Sequence, residues 1–175
     1  ASNLTVSGIV NATQLLLSGT AILTNAGTGM VLRTGIGGAW VAGSGNTFGG
    51  TAYSNGVTTI LNAPVSAIPG DFIISGGNNA GQDALGNATS RVLQMRPSQI
   101  ADTATVTLRG GGGWDVNGFR EKVAALVLEG QAGGLGGVGA TVWTSAGTLE
   151  LAGNITARRL DDPAYIPVLQ GHLAL

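Results

Sequence analysis

The sequence predicts an all-β fold, specifically a parallel β-helix (β-solenoid) that forms a single domain over residues 1–175. Short apolar runs recur at intervals of roughly eight to ten residues, which is typical of all-β proteins. Glycine-rich turns separate these runs, and 31 of the 175 residues are glycine. Asn55-Gly56 and Asn117-Gly118 are the only Asn-Gly or Asp-Gly dipeptides. Because such dipeptides mark tight hairpins, their scarcity favours strands that stack coil upon coil.

The segment Ala104–Gly130 shows the predicted unit most clearly. Val106 and Leu108 alternate with polar residues, so they share one face of an extended strand that is buried on that side only. The glycines 110–113 then turn the chain, and the alternation resumes beyond them. Interior glycines cost a helix about 1 kcal/mol each, so this unit is predicted to be strand, turn and strand.

The same pattern predicts strands along the whole chain. They centre on Leu4 and Val6, Leu15 and Leu17, Ile22, Val31, and residues 39–41, 58–61, 72–74, 91–96, 140–144, 148–151, 154–157, 166–169 and 172–175. Leu149 and Leu151 are expected to face inward and Glu150 outward. At roughly 20 residues per coil and ~4.8 Å between coils, about eight or nine coils would form a rod about 40 Å long.

Composition excludes several classes of function. The formal net charge is −1, only 10% of the residues are charged, and Lys122 is the only lysine. Nucleic-acid binding needs clustered Lys and Arg, so no nucleic-acid partner is expected. The absence of cysteine excludes disulfides and thiolate metal sites. No window reaches the ~18 consecutive apolar residues of a membrane helix, so no membrane span is expected in this segment.

Several motifs, taken in order, resemble the autotransporter-associated β-strand repeat (passenger-associated repeat) family of bacterial surface and secreted proteins. They are GTGMVLRTG (27–35), GNTFGGT (45–51), DALGNAT (83–89), GWDVNGF (113–119) with ALVLEG (125–130), and GTLELAGNI (147–155). The resemblance implies a right-handed β-helix and an extracellular or cell-surface location. One departure is residues 39–41, where the family carries a clearer Leu-x-Leu strand.

The two ends of the chain suggest how copies join. VLQGHLAL (168–175) is similar to the family's late strands, and NLTVSGIV (3–10) is similar to the segment that follows them. Residues 1–175 are therefore expected to be one complete repeat module, continued by a tandem copy or by another chain. The uncapped apolar ends predict head-to-tail stacking into a filament or surface stalk, because like strand edges pair. The predicted assembly interface comprises Leu4, Val6, Ile9, Val10, Val168, Leu169, Leu173 and Leu175.

Two glycine motifs match ligand-binding signatures without their structural context. Residues 134–139 satisfy G-x-G-x-x-G, but a strand rather than a helix is predicted after them, which argues against a nucleotide site. Residues 110–115 begin like a calcium-binding nonapeptide, but Asn117 occupies its apolar position and no second copy follows. Both runs are interpreted as corners, and no cofactor or metal is expected.

No catalytic residue is predicted, and the chain is not expected to be an enzyme. His172 is the only histidine, and no acid or serine stands at a spacing that would make it a base. Asp161 and Asp162 precede Pro163, which favours a turn over a carboxylate pair. A polysaccharide-acting β-helix enzyme is the less favoured alternative, because the acids form no local cluster.

A third reading is an adhesin or autotransporter passenger module that binds a surface glycan or a protein of a host or matrix. Its contacts would come from the polar loop at residues 76–90 and from outward Trp or Tyr side chains. N-x-Thr sequons begin at Asn3, Asn11, Asn87 and Asn154. These asparagines are candidate glycosylation sites if the protein is secreted in a glycosylating host and they face solvent.

Overall fold

The computed structural model describes residues 3–5, 9–12, 15–17, 22–24, 29–34, 39–41, 51–55, 59–64, 66–75, 91–130, 139–159 and 166–175. Side chains are described from residue 59 onward within these ranges, except those of Ser75 and Arg159. Every regular element in these ranges is a β-strand. The first nine strands are β1 (Asn3–Thr5), β2 (Ile9–Ala12), β3 (Leu15–Leu17), β4 (Ile22–Thr24), β5 (Gly29–Thr34), β6 (Ala39–Val41), β7 (Thr51–Asn55), β8 (Thr59–Leu61) and β9 (Phe72–Ser75). The remaining strands are β10 (Arg91–Gln94), β11 (Thr105–Arg109), β12 (Gly113–Asp115), β13 (Arg120–Val123), β14 (Ala125–Gly130), β15 (Thr141–Leu151), β16 (Ile155–Arg159) and β17 (Val168–Ala174).

The strands form two large sheets in which all pairs are parallel. The seven-stranded sheet has the order β16-β14-β11-β9-β7-β5-β2. The eight-stranded sheet has the order β13-β15-β12-β10-β8-β6-β3, and β17 pairs with β15. A separate pair joins β1 to β4. Position in each large sheet therefore follows position in the chain, with β2 and β3 at one edge (the N-terminal edge) and β16 and β17 at the other (the C-terminal edge).

The all-β prediction is confirmed for the described residues, but the right-handed parallel β-helix is wrong. The strands form separate parallel sheets rather than a solenoid of uniform coils. Ile9 pairs with Val31 whereas Phe72 pairs with Val106, so the chain length between neighbouring strands is not constant. In addition, the 11-residue strand β15 lies beside both β12 and β13. Apolar alternation indicates strands and their buried faces, but it does not determine how many residues connect one strand to the next.

The hydrophobic core takes buried side chains from both large sheets. Parallel pairing places inward-facing residues of successive strands in line, and we call these lines the core columns. They are Phe72-Val106-Leu126-Ile155, Ile74-Leu108-Leu128-Ala157, Val92-Trp114-Val142-Leu169 and Leu149-Leu173. As predicted, Val106 and Leu108 are buried between less buried polar residues, and Leu149 and Leu151 are buried on either side of Glu150.

Strand β15 is irregular in its middle, where its register with β17 shifts between Trp143 and Thr148. Ser145 adopts a positive φ of 54° at this bulge. Gly147 follows, and a Cβ at this position would overlap the backbone carbonyl of Phe119. The nitrogen of Thr148 donates a hydrogen bond to that same carbonyl at 3.0 Å. The close approach of the two backbones therefore requires glycine at position 147.

We expect Gly147→Ala to lower the free energy of unfolding by about 3 kcal/mol, because a backbone carbonyl cannot move aside as a flexible side chain can. Gly118 is the matched control: it has a φ of 79° but nothing within 4 Å of an added Cβ. Gly118→Ala should cost only about 1 kcal/mol of backbone strain. Urea unfolding of both variants measures the difference, and equal losses would contradict the close contact at Gly147.

Candidate assembly site at the edge strands

The C-terminal edge exposes apolar side chains that continue the core columns. Leu126 and Leu149 are fully buried inside the protein. Their neighbours in the same columns, Ile155 and Leu173, are 39% and 36% exposed. Ala157 ends a third column and is also exposed, whereas Leu169 ends the fourth and packs partly against the core. This edge is therefore a cross-section of the core that no further strand covers within the described residues.

The predicted interface residues near the C-terminus lie at this edge. Val168 is 44% exposed and Leu175 is 89% exposed, in addition to Leu173. Two more large apolar residues, Ile155 and Ile166, extend the surface and were not part of the predicted interface. Ile155 had a signal in the sequence, because it lies in the strand predicted at residues 154–157. The structure therefore places the C-terminal half of the predicted interface residues at one edge, where Ile155 and Ile166 are exposed as well.

The N-terminal half of the predicted interface is described through its backbone alone. Leu4 lies in β1, and Ile9 and Val10 lie in β2. Val6 lies outside the described residues. Strand β2 is the first strand of the seven-stranded sheet, and β3 is the first strand of the eight-stranded sheet. The backbone of this end thus presents parallel strand edges that correspond to those of the C-terminal edge.

Backbone groups at the C-terminal edge are also available for pairing. Among the described strands, β16 pairs only with β14, and β17 pairs only with β15. Each therefore has one side with no paired strand in the described part of the chain. Unpaired strand edges act as templates for further strands, particularly when no lysine or proline blunts them. Neither residue type occurs in β16 or β17, although β16 carries Arg158 and Arg159.

An ion-pair ladder on the outer face of the seven-stranded sheet ends at this edge. Arg109, Glu129 and Arg158 lie at one register position of β11, β14 and β16. Arg158 donates from Nη2 and Nε to Glu129 Oε1 at 2.6 and 3.1 Å. Arg109 Nε lies 2.7 Å from Glu129 Oε2, although it lacks hydrogen-bond geometry. The buried Glu129 carboxylate is thus neutralised from both sides, and Arg158 is the last member of the ladder.

A buried polar network that was not predicted from the sequence lies next to the core. Glu121 on β13 is fully buried. It accepts hydrogen bonds from the backbone nitrogens of Gln99 at 2.8 Å and Ile100 at 3.0 Å, and from Gln94 Nε2. Trp114 Nε1 donates to Gln94 Oε1 at 3.0 Å. Because an indole N–H can only donate, it orients the Gln94 amide so that its NH₂ group faces Glu121.

The pKa of the Glu121 carboxyl is raised to about 7, chiefly because burial removes it from water. Hydrogen bonds from Gln99, Ile100 and Gln94 oppose this rise, and the negative charge of Asp102 adds to it. All three bonding groups donate, so protonation of Glu121 weakens these bonds by removing the negative charge that strengthens them. Desolvation nevertheless dominates, and the network carries a carboxyl that titrates near neutral pH.

The other sequence motifs have structural roles where the structure describes them. Asp115, from the calcium-like motif, pairs with Arg91 and accepts a hydrogen bond from the backbone nitrogen of Asn117 at 2.8 Å. The guanidinium of Arg91 also lies 6.0 Å from the ring centroid of Trp143. The exposed His172 is on β17, and its backbone nitrogen donates to Thr144 Oγ1 at 2.8 Å. Of the G-x-G-x-x-G run only Gly139 is described, and β15 begins soon after it.

Several predicted features fall outside the described residues: the polar loop at 76–90 with Asn87, and the pair Asp161 and Asp162. Asn3 and Asn11 lie in β1 and β2, whereas Asn154 is exposed just before β16. Within the described ranges, no three His, Asp or Glu side chains converge as a metal site would require. Those ranges also contain no helix with the length and apolar character needed to cross a bilayer.

Comparisons with protein-family models, with curated proteins and with solved structures found no match to this chain.

The buried Glu121 predicts a specific dependence of stability on pH. Its pKa is about 7 in the folded protein and 4.5 in its ordinary state, so the folded state holds this proton more tightly. The stabilisation is fully present below about pH 4.5 and is lost as the pH rises through about 7. A shift of this size corresponds to roughly 3 kcal/mol between the two limits.

Urea unfolding between pH 4.5 and 8 measures this effect. We expect Glu121→Gln to remove most of the decrease in the free energy of unfolding between these pH values, because its amide does not ionise. Glu150→Gln is the control: Glu150 is paired with Arg120 and Lys122, which lower its pKa, so its stabilisation is lost as the pH falls. If the free energy of unfolding of Glu121→Gln fell with pH as much as that of the wild type, the pH dependence would not come from Glu121.

Proposed function

We propose that the chain is a structural, non-enzymatic extracellular protein whose copies assemble head to tail into a filament or surface stalk. The observation that carries this proposal is the exposure of core-column residues at the C-terminal edge. Ile155 and Leu173 occupy positions whose neighbours in the same columns are completely buried. Covering them with another layer of strands would remove apolar surface from water, which favours association.

The parallel sheets support a head-to-tail direction of assembly. Strands follow chain order in both sheets. The strands that would continue this order beyond β16 and β17 are therefore β2 and β3 at the N-terminal edge of another copy. The two surfaces of such a contact are different, so the interface is heterologous. A heterologous contact that does not close on itself propagates into an open filament.

A non-enzymatic role is supported by the partners of four of the six described carboxylates. Asp115, Glu129 and Glu150 form ion pairs with arginine or lysine, and Glu121 is enclosed by hydrogen-bond donors. The extracellular or cell-surface location rests on the resemblance of the sequence motifs to passenger-associated repeats. Both features support a structural protein that forms a filament or surface stalk.

Purified protein should form filaments whose amount and length increase with concentration. Negative-stain electron microscopy and sedimentation velocity measure this directly. The reason is that each added copy covers one exposed edge and leaves an equivalent edge at the new end. Monodisperse monomers at high protein concentration would contradict the proposal.

Leu173→Lys should raise the concentration needed for filament formation at least tenfold, because a charge would be buried at the junction. Met95→Lys is the matched control: Met95 is also an exposed large apolar residue, but it follows β10 in the interior of the sheet. Circular dichroism should show folded protein for both variants. If Leu173→Lys and Met95→Lys assemble alike, the C-terminal edge is not the assembly surface.

A further inference from the structure

We infer that the junction between copies has one defined register, in which β2 of the incoming copy pairs with β16 and its β3 pairs with β17. This inference rests on the proposed function and adds the identity and alignment of the partner strands. The occupant of the C-terminal edge is thus a second copy of this chain, entering by its N-terminal edge. Parallel pairing gives each residue one partner in the neighbouring strand. The register of the junction is inferred by following these partners from strand to strand.

The seven-stranded sheet fixes the alignment of β2 with β16. Successive pairs connect Ile9, Val31, Tyr53, Ile73, Thr107, Val127 and Thr156 at one register position. The next position connects Val10 through Ile74, Leu108 and Leu128 to Ala157 in the same way. If the next copy continues this pattern, Ile9 stands beside Thr156 and Val10 beside Ala157. Val10 then continues a core column.

The eight-stranded sheet gives a second, independent alignment. Its pairs connect Leu15 through Thr59, Val92, Trp114 and Val142 to Leu169. The same continuation therefore places Leu15 of the incoming copy beside Leu169, an apolar residue beside an apolar residue. Each strand of the seven-stranded sheet is followed along the chain by a strand of the eight-stranded sheet. The incoming β2 and β3 extend that alternation without interruption.

The alternative registers are less compatible with the residues at the edge. A slip by one residue would reverse the faces of the incoming strand, so Asn11 or Ile9 rather than Val10 would continue the core column beside Ala157. A slip by two would keep the faces but would place Ala12 or Gly8 rather than Val10 beside Ala157, so the core column would gain less apolar surface. In the continued register, the uncharged Asn11 stands at the position next to Arg158, so the end of the ion-pair ladder meets no second cation.

Cysteine cross-linking tests this register, and the chain has no native cysteine to interfere. The variant Ile9→Cys/Thr156→Cys places its two thiols side by side across every junction, within the Cα separation that a disulfide spans. Mild oxidation of assembled protein should give a ladder of covalent multimers on a non-reducing gel. A mixture of the two single-cysteine variants should give cross-linked heterodimers far in excess of either homodimer.

The matched control is Asn11→Cys/Thr156→Cys, which lies on the same faces but two residues out of register. Its Cα atoms would be farther apart than the ~7 Å limit of a disulfide, so the ladder should be reduced at least tenfold. Electron microscopy of each variant before oxidation reports assembly separately from register. Filaments that cross-link equally in both variants, or only as Thr156→Cys homodimers, would overturn the register while leaving filament formation intact. Absence of filaments in wild-type and variant proteins would overturn the proposed function and, with it, the register.

Discussion

Parallel pairing in a continuous register is the constraint on which the structure depends. It aligns inward side chains of successive strands, so each apolar residue of a core column is covered by the strand before it and the strand after it. Phe72, Val106 and Leu126 meet this condition and are fully buried. Ile155, the next member, has a neighbouring strand on one side only in the described part of the chain, and it is partly exposed. The same rule that builds the core thus creates the surface on which assembly is proposed.

The same register also brings polar residues together, and these form ion pairs and hydrogen bonds. On the outer face, Glu129 lies between Arg109 and Arg158, because register brings the three residues together. On the inner side, Glu121 shares a register position with Leu149 and receives its hydrogen bonds from Gln94 and the backbone near Gln99. A buried carboxyl without those donors would cost far more than an apolar residue of similar size. Trp114 contributes indirectly, since its N–H orients the Gln94 amide.

The sequence was sufficient to predict strands and their buried faces, because alternation is a local property. Val106 and Leu108, or Leu149 and Leu151, could be assigned inward from their immediate neighbours alone. The arrangement into two parallel sheets could not be predicted, since it depends on how much chain leaves the sheet, as between Phe72 and its partner Val106. The burial of Glu121 was not predicted, because a charged residue usually lies in solvent. Its parity with Val123 was the signal that it faces inward.

The agreement between chain order and sheet order has a consequence for how such a protein can change in length. Removal of β9 and β10 together would bring β7 beside β11 and β8 beside β12, and Ala52 would take the position of Phe72 next to Val106. Inward and outward faces would stay matched, because each pair occupies one complete layer of both sheets. Duplication or loss of a layer in the gene would therefore change the number of strands in each sheet while the two terminal edges stayed the same.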